Sequence, residues 1–215
     1  TGTLIADDLV LSAQHCIDVP ESLKGSLTKV VFGTDIFDKK SVSVDVARYL
    51  RPKDLPGLSL SSEDTLGDDL VLVKLAKKAP RDWRRVDVGG GGDVGAYSRS
   101  LRLFGFGDSV DSQDYSSGVL RRVDLVPVTD RNAKPDFFAR PLDYSGRTGA
   151  CNGDSGGALL LEDEGQAPRV IGVVSSTSTP CAGSTTRFMN PSSAALAEFV
   201  RRGSRALGTP LDVKA

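Results

Sequence analysis

Short runs of alternating apolar and polar residues recur along the chain, separated by glycine-rich or polar turns. They cover residues 29–33, 41–46, 70–75, 100–104, 123–128, 159–161 and 170–174, and a further apolar, strand-like stretch begins at Leu4. A period of two, short length and β-branched residues are typical of strands. Many short strands with little helical periodicity predict an all-β sandwich or barrel.

One segment near the C-terminus departs from this pattern. Apolar residues between positions 191 and 207 recur at helical spacing. Ser192 or Ser193 is suited to cap the first turn, and Gly208, with a proline at 210, ends the run. The sequence therefore predicts a C-terminal amphipathic helix within residues 191–208.

The most glycine-rich point, residues 89–95, lies near the middle of the chain and indicates a connection between two halves. We therefore expect three parts, residues 1–88, 89–190 and the helix at 191–208. Gly90, Gly92 and Gly95 formally match a dinucleotide-binding pattern, but that pattern requires a helix to follow. A strand-like segment follows here, so nucleotide binding is disfavoured.

Composition excludes several classes of protein. The 215 residues contain 27 Lys and Arg against 28 Asp and Glu, a net charge of −1, which gives no field attractive to nucleic acid. No apolar run approaches the roughly 20 residues of a membrane span. Residues 1–8 also lack the basic and apolar regions of a signal peptide.

The chain has three cysteines and a single histidine, with no Cys-x-x-Cys spacing, which argues against structural zinc. An odd number of cysteines leaves one thiol without a partner in this chain. Asp35 and Asp38 are weak candidates for calcium ligands, and a solvated turn is the better explanation of them. We expect no cofactor and no metal.

The strongest local signal is Gly153-Asp154-Ser155-Gly156-Gly157, which is followed by an apolar run. Glycines beside a serine let a substrate approach the hydroxyl and let nearby backbone N–H groups converge on one point. A tight turn entering a strand is the alternative explanation of this segment alone.

A serine nucleophile requires a general base that is oriented by a carboxylate. His15 is the one histidine available, and it follows an apolar stretch and precedes Cys16. Asp69 comes directly before the apolar run at 70–75 and is a better candidate than Asp68. A carboxylate buried there needs a hydrogen-bond donor such as an imidazole.

Three segments in this order resemble the trypsin/chymotrypsin-like serine peptidases. They are Ser-Ala-Gln-His-Cys at 12–16, Asp-Leu-Val-Leu-Val-Lys-Leu at 69–75 and Gly-Asp-Ser-Gly-Gly at 153–157. Residues 2–5, 104–107 and 171–175 also resemble strands and a turn of that family, so the likeness covers nearly the whole chain. Gln14, Phe106 and Ser176 depart from the usual residues, but none of these changes removes a catalytic group.

The resemblance implies two six-stranded antiparallel barrels with the catalytic cleft between them. His15 and Asp69 would come from the first barrel and Ser155 from the second, and the N–H groups of Gly153 and Ser155 would form the oxyanion hole. The first barrel would lack its N-terminal strand in this chain. The implied activity is serine endopeptidase, with a polypeptide as substrate.

Further implications concern the cysteines and activation. Relatives join the cysteines that match Cys151 and Cys181, which implies a secreted or periplasmic protein. Cys16 would bond a cysteine just before Thr1, in an upstream segment whose new α-amino group pairs with Asp154. Without that amine we expect Asp154 to turn outward, leaving a zymogen-like chain.

The resemblance also assigns the substrate-binding positions, which are Gly149, Ser175, Ser176, Thr177 and Gly183. Gly149 stands where relatives specific for Lys or Arg carry an aspartate, and Thr177 narrows the pocket. We therefore expect small or medium uncharged residues on the acyl side of the cut bond. Ser175 would hydrogen-bond Asp69, and Ser176 would leave a smaller floor in the next subsite.

Two other functions are compatible with the same residues. A catalytically silent homologue that acts as a binding or regulatory module is the main alternative, although such proteins usually lose the histidine or the serine. An esterase is a third hypothesis, because the acyl-transfer chemistry is shared.

Overall fold

The computed structural model of the protein describes residues 1–18, 28–58, 68–89, 101–109, 116–128, 136–143, 145–162 and 165–213. The N-terminal half forms one antiparallel sheet of five strands: β1 (Thr3–Ala6), β2 (Leu9–Ser12), β3 (Lys29–Phe32), β4 (Val42–Leu50) and β5 (Val71–Leu75). Their order is β1-β2-β5-β4-β3. Among the described residues no pairing joins β1 to β3, so this sheet is an open half-barrel.

The C-terminal half forms the second sheet: β6 (Asp87–Val88), β7 (Leu101–Gly105), β8 (Arg121–Pro127), β9 (Asp136–Pro141), β10 (Ala158–Leu161), β11 (Arg169–Thr177) and β12 (Thr186–Met189). Pairing of β10 with both β7 and β11 closes six strands, β7 to β12, into a barrel. The short β6 pairs in parallel with the start of β11.

The predicted all-β class, with an incomplete first barrel and a complete second one, is confirmed. Strands β9 and β12 were not among the predicted segments, and β4 extends four residues beyond the predicted end at 46. The glycine-rich junction from residue 90 onward lies outside the described residues. The division at 88 and 89 therefore stays a prediction.

Helix α1 (Ala194–Ala206) confirms the predicted C-terminal helix, with Ser193 at the N-cap position and Leu207 at the C-cap. Its buried face, which includes Leu196, Phe199 and Val200, belongs to a core that the first sheet also lines. Packing is close here, because a Cβ built on Gly203 would lie 2.6 Å from Leu72 Cδ1. The helix therefore completes the core of the N-terminal half.

Alternate residues of β5 enter different cores. Leu72 packs in the cluster that contains the helix, whereas Val71 and Val73 pack with Val10 and Val44 on the other face of the first sheet. This explains why the apolar run at 70–75 is nearly continuous, since both faces of the strand are buried. Asp69 therefore lies close to the start of β5, a strand that is packed on both faces.

The segment after the helix is also tied to the first sheet. Lys74 Nζ donates to Asp8 Oδ2 at 2.6 Å and also bonds the hydroxyl of Thr209. That hydroxyl donates to Asp8 Oδ1 at 2.8 Å. The three partly buried polar side chains satisfy one another and hold the chain beyond Gly208 against β5.

Candidate active site

His15 lies in a 3₁₀ turn, Gln14–Cys16, directly after β2. Its backbone N–H donates to Asp69 Oδ1 at 2.9 Å, and its ring Nδ1 lies 2.8 Å from Asp69 Oδ2. Two bonds to one carboxylate fix both the turn and the ring. Nε2 is left as the ring nitrogen that faces away from Asp69.

Asp69 accepts a third hydrogen bond from the C-terminal half of the chain. The hydroxyl of Ser175, on β11, donates to Asp69 Oδ2 at 2.6 Å. Burial alone would raise the pKa of Asp69, but the hydrogen bonds from His15 and Ser175 lower it below its usual value. The carboxylate is therefore held ionised at the junction of the two sheets.

The pKa of His15 is raised to about 10, chiefly by its hydrogen bond to Asp69. The imidazole side chain is 48% exposed, whereas that of Asp69 is 14% exposed. Asp69 thus strongly stabilises the imidazolium form of His15. This is the property needed in a base that carries a positive charge midway through a reaction.

A polar network supports the turn that carries His15. Gln14 Nε2 donates to Asp18 Oδ2 at 2.8 Å, and Arg51 Nη1 donates to Asp18 Oδ1 at 3.1 Å. Arg51 also binds Asp54 through its Nε at 3.0 Å. Sequence reasoning noted Gln14 only as a departure from the family and missed Asp18, Arg51 and Asp54, because Asp18 lies 33 positions from Arg51 in the chain.

Ser155 lies in the loop between Cys151 and β10, beside the histidine turn. Cys16 is adjacent to both regions: its Sγ is 3.9 Å from His15 Nε2 and 3.7 Å from the carbonyl oxygen of Ser155. The backbone N–H of Gly156 bonds the carbonyl of Val174 at 2.8 Å, which fixes the loop on β11. The structure thus joins His15 and Asp69 directly and places the backbone of Ser155 beside Cys16, the neighbour of His15.

The loop before Ser155 is shaped by Gly153 and Asp154. Gly153 has φ 93°, a left-handed backbone conformation that favours glycine. Asp154 is 9% exposed and accepts the N–H groups of Gly107 at 2.8 Å and Cys151 at 2.8 Å. Asp154 is therefore held by the backbone on both of its carboxylate oxygens.

The inward position of Asp154 corrects our expectation that its carboxylate would turn outward. Two backbone donors compensate it, and it fits a hollow made by two glycines: a Cβ on Gly105 would lie 2.0 Å from Asp154 Oδ1, and one on Gly107 would lie 2.6 Å from Cγ. Burial nevertheless raises the pKa of this carboxyl above its usual value.

The predicted specificity residues lie on three neighbouring segments, around Gly149, at the end of β11 and around Gly183. Gly183 N–H donates to the carbonyl of Thr148 at 2.7 Å, and a Cβ on Gly149 would lie 2.0 Å from the carbonyl oxygen of Cys181. Thr177 Oγ1 is 2.7 Å from Ser184 Oγ. Hydroxyl groups and close backbone packing therefore occupy this region, and no acidic side chain stands at 149.

A cleft of about 660 Å³ opens beside His15 and Asp69, and Ser175 and Ser176 line it. Ser176 pairs with Arg187 on β12, and Arg187 pairs with Phe138 on β9. Arg187 Nε donates to Asp136 Oδ2 at 2.6 Å within the same cleft. This ion pair was not anticipated, because it depends on the register of two strands that the sequence pattern did not reveal.

The disulfide between Cys151 and Cys181 is present, which confirms that prediction, and Cys16 has a free thiol. Asp35 and Asp38 each accept a backbone N–H of their own turn, from Phe37 and Lys40. Among the residues that the structure describes, no group of three or more His, Cys, Asp or Glu side chains is arranged to hold a metal ion.

None of the helices in the described part of the chain has the length and apolar content needed to cross a bilayer.

Comparisons with known proteins agree with this geometry. A "trypsin-like protease" of Streptomyces glaucescens is 26% identical over 183 residues, which cover 81% of this chain and 63% of that protein. Snake venom serine protease CL2 of Trimeresurus stejnegeri is 25% identical over 192 residues, covering 85% of this chain and 69% of the relative. Hypodermin-B of Hypoderma lineatum is 25% identical over 191 residues, covering 81% and 66%.

The chain spans only 63–69% of the length of these relatives. The match to the family named Trypsin is nevertheless broad, since it extends over residues 1–198, and it confirms the resemblance found in the sequence. This chain therefore belongs to the trypsin family.

Proposed function

We propose that the protein is a serine endopeptidase that cleaves polypeptides through an acyl-enzyme formed on Ser155. The observation that carries the proposal is the imidazole of His15, which is anchored on Asp69 at 2.8 Å beside the loop of Ser155. When one ring nitrogen of a histidine donates its proton to a carboxylate, the tautomer of the neutral ring is fixed. The other nitrogen, which faces away from the carboxylate, can then act as a general base.

In the proposed reaction, Ser155 Oγ attacks the peptide carbonyl while His15 Nε2 accepts the hydroxyl proton. His15 then donates that proton to the leaving amine, and water repeats the sequence to release the acid. Asp69 keeps the proton on Nδ1 and stabilises the imidazolium without taking the proton itself. Ser175 and the N–H of His15 hold Asp69 in the required orientation.

The N–H groups of Gly153 and Ser155 form the oxyanion hole in this proposal. Support comes from the fixed loop geometry, with Gly153 at φ 93° and Asp154 bonded on both carboxylate oxygens. A donor of this kind contributes about 10²–10³-fold to kcat.

For specificity, we propose that the pocket takes small or medium uncharged side chains. Gly149 offers no charge to a Lys or Arg, and Thr177 and Ser184 occupy its neighbourhood with a hydroxyl pair 2.7 Å apart. The ion pair of Arg187 and Asp136 lines the adjoining cleft beside Ser176. A peptide library that is cleaved after Lys or Arg would contradict this assignment.

We also propose that the natural protein is secreted or periplasmic and carries a segment before Thr1. An apolar groove of about 360 Å³ beside the open first sheet is lined by Val30, Tyr49, Val73 and Cys16, and it suits a further strand. The free thiol of Cys16 on its wall would bond a cysteine of that segment. The disulfide Cys151–Cys181 fits an oxidising compartment.

Activation is proposed to require cleavage within that upstream segment, whose new α-amino group would pair with Asp154. Protein that contains the segment should gain activity on cleavage, whereas the polypeptide from Thr1 to Ala215 should turn over peptides poorly. Full peptidase activity of the polypeptide that begins at Thr1 would overturn this dependence.

The experiment that separates an enzyme from a silent binding module is labelling with a fluorophosphonate. We expect one adduct on Ser155 in the cleaved, full-length protein, none in Ser155→Ala and none in His15→Ala. Cleavage of peptides as well as esters distinguishes a peptidase from an esterase. An unlabelled wild-type protein would favour the silent homologue.

A further inference from the structure

The loop after β7 lies directly behind the loop that carries Ser155. Gly107 N–H donates to Asp154 Oδ1 at 2.8 Å, and Asp108 N–H donates to the carbonyl of Asn152 at 2.8 Å. A Cβ built on Gly153 would lie 3.0 Å from Gly107 Cα, so the two backbones are in close contact. The position of residues 107 and 108 therefore sets the positions of residues 152 to 154.

Arg121, the first residue of β8, holds this loop from the opposite side. Its Nη1 donates to the carbonyl of Gly107 at 2.9 Å and to that of Val119 at 3.2 Å. The backbone N–H of Gly118 also bonds the carbonyl of Phe106 at 2.7 Å. The guanidinium thus joins the two ends of the connection between β7 and β8.

One peptide unit lies between Arg121 and the Ser155 loop. Its carbonyl, on Gly107, accepts from the guanidinium, and its N–H, on Asp108, donates to Asn152. A charged donor on the carbonyl polarises the peptide and strengthens the bond that its N–H makes. Arg121 can therefore act on the Ser155 loop without touching it.

The charge of Arg121 also favours the observed position of the Ser155 loop. Arg121 and Asp154 both line one open cavity of about 150 Å³. Burial disfavours an ionised carboxyl at Asp154, the backbone donors of Cys151 and Gly107 oppose that effect, and the charge of Arg121 adds a smaller contribution in the same sense. Only an ionised Asp154 accepts both of its backbone bonds at full strength.

We propose that Arg121 is a positioning residue for the oxyanion loop, acting through the Gly107–Asp108 peptide and Asp154. The role rests on the proposed peptidase function, because its consequence for catalysis passes through the N–H groups of Gly153 and Ser155. Loss of the guanidinium lets residues 152–154 drift, which weakens transition-state binding and leaves ground-state binding intact.

The test compares Arg121→Ala and Arg121→Lys with Arg48→Ala, an exposed arginine on β4, in the full-length cleaved protein. For Arg121→Ala we expect kcat and the affinity for a peptide boronic acid to fall together by about 10–100-fold, a fraction of the loss of a whole oxyanion donor. KM and the affinity for a product peptide should change less than threefold. Lysine should restore part of the loss.

A second measurement does not depend on activity. Hydrogen exchange of the Asp108 amide should be at least tenfold faster in Arg121→Ala than in Arg48→Ala. The two variants are compared under conditions in which their free energies of unfolding are equal. Unchanged exchange, or equal losses in boronate and product binding, would overturn the role of Arg121. A wild-type protein that fluorophosphonate fails to label, but with the expected change in exchange, would overturn the proposed function and leave the positioning role standing.

Discussion

The two halves of the molecule reach a packed core by different routes. The C-terminal half closes its sheet, because β10 pairs with both β7 and β11, and it fills that barrel with its own side chains, such as Leu103, Phe137 and Phe188. The N-terminal half has an open sheet and buries one face in a core shared with helix α1 and with residues of the second sheet, such as Val170 and Val173. Closure gives the second half a core of its own, whereas the first half shares its core with distant sequence.

The candidate site combines residues from both halves. His15 and Asp69 come from the open half, and Ser155, Ser175 and the Asp154 loop come from the closed one. A reaction centre of this kind is only as well ordered as the packing between the two sheets. The predictions below therefore ask how far each half contributes on its own.

The largest effect should come from breaking the unit that spans the halves. Ser155→Ala or His15→Ala should each lower kcat by about 10⁵–10⁶, and the double variant should lose little more, because the two groups act together. Steady-state kinetics on the three variants measures this. Losses that multiply in full would contradict a shared role.

The next largest loss of activity should come from a substitution within the closed half alone. A methyl group at Gly107 would lie 2.6 Å from the Cγ of Asp154, so Gly107→Ala must displace that carboxylate. We expect kcat to fall by about 10²–10³, as for the loss of an oxyanion donor, with KM nearly unchanged. In the open half, Gly57→Ala is the control: nothing lies within 4 Å of a Cβ there, and its positive φ, which Gly107 does not share, strains alanine without displacing a neighbour. That control should reduce stability but leave kcat intact.

The sequence predicted the strands that alternate regularly and the helix, because those patterns are local. It did not predict β9, which follows Pro135 and ends at Pro141, or β12, in which two polar residues precede two apolar ones. Prolines and a missing alternation hide a strand whose existence depends on its neighbours in a barrel.

The same distinction applies to the site. His15, Asp69 and Ser155 stand in recognisable local motifs, so the sequence could indicate them. The contacts of Arg51 with Asp18, and of Arg187 with Asp136, join residues 33 and 51 positions apart, and no local signal marks them. Their chemistry follows from strand register and loop packing, which a single sequence does not reveal.

The third prediction concerns the covalent bond in the closed half. Cys151 and Cys181 close a loop with a separation of 30 residues. The double variant Cys151→Ala/Cys181→Ala should lose about 3–4 kcal/mol of unfolding free energy in the chain-entropy description. Denaturant titration measures the loss, and Cys16→Ser is the control in the open half. An equal loss in both proteins would refute the special dependence of the closed half on its disulfide.

The fourth prediction uses the one histidine of the chain, which gives a single imidazole signal in NMR titration. The pKa of His15 is raised to about 10 in the folded state, so the stability contributed by its interaction with Asp69 is full below the ordinary value near 6.5. It is lost as pH rises through 10. Peptidase activity should instead increase over that range, because neutral His15 is the base.

Variants of Asp69, and of Ser175 that hydrogen-bonds it, test the origin of this pKa shift. Asp69→Asn should return the pKa of His15 towards 6.5, since the hydrogen bond to Asp69 is the main cause of the shift. Ser175→Ala, in the closed half, should lower it less, because the serine acts only through Asp69. A His15 that titrates near 6.5 in the wild-type protein would show that its coupling to Asp69 is weak.

The smallest effect is expected where the end of the chain meets the open sheet. Thr209→Val removes the hydroxyl that donates to Asp8 Oδ1 at 2.8 Å and accepts from Lys74 Nζ, and it keeps the size of the side chain. We expect a loss of about 1–2 kcal/mol in unfolding free energy, the usual net value of two hydrogen bonds. Thermal and denaturant unfolding should both show it, and kcat should stay unchanged.

The packing of helix α1 against the first sheet also bears on how the protein is made. Leu9, Leu11 and Leu72 are synthesised well before Phe199 and Val200, which share their core. Domains generally fold as units, N-terminal first, while the chain is still growing. In this protein the half that is synthesised first cannot complete its core until helix α1 has been made, so its apolar face stays open to chaperones during that interval.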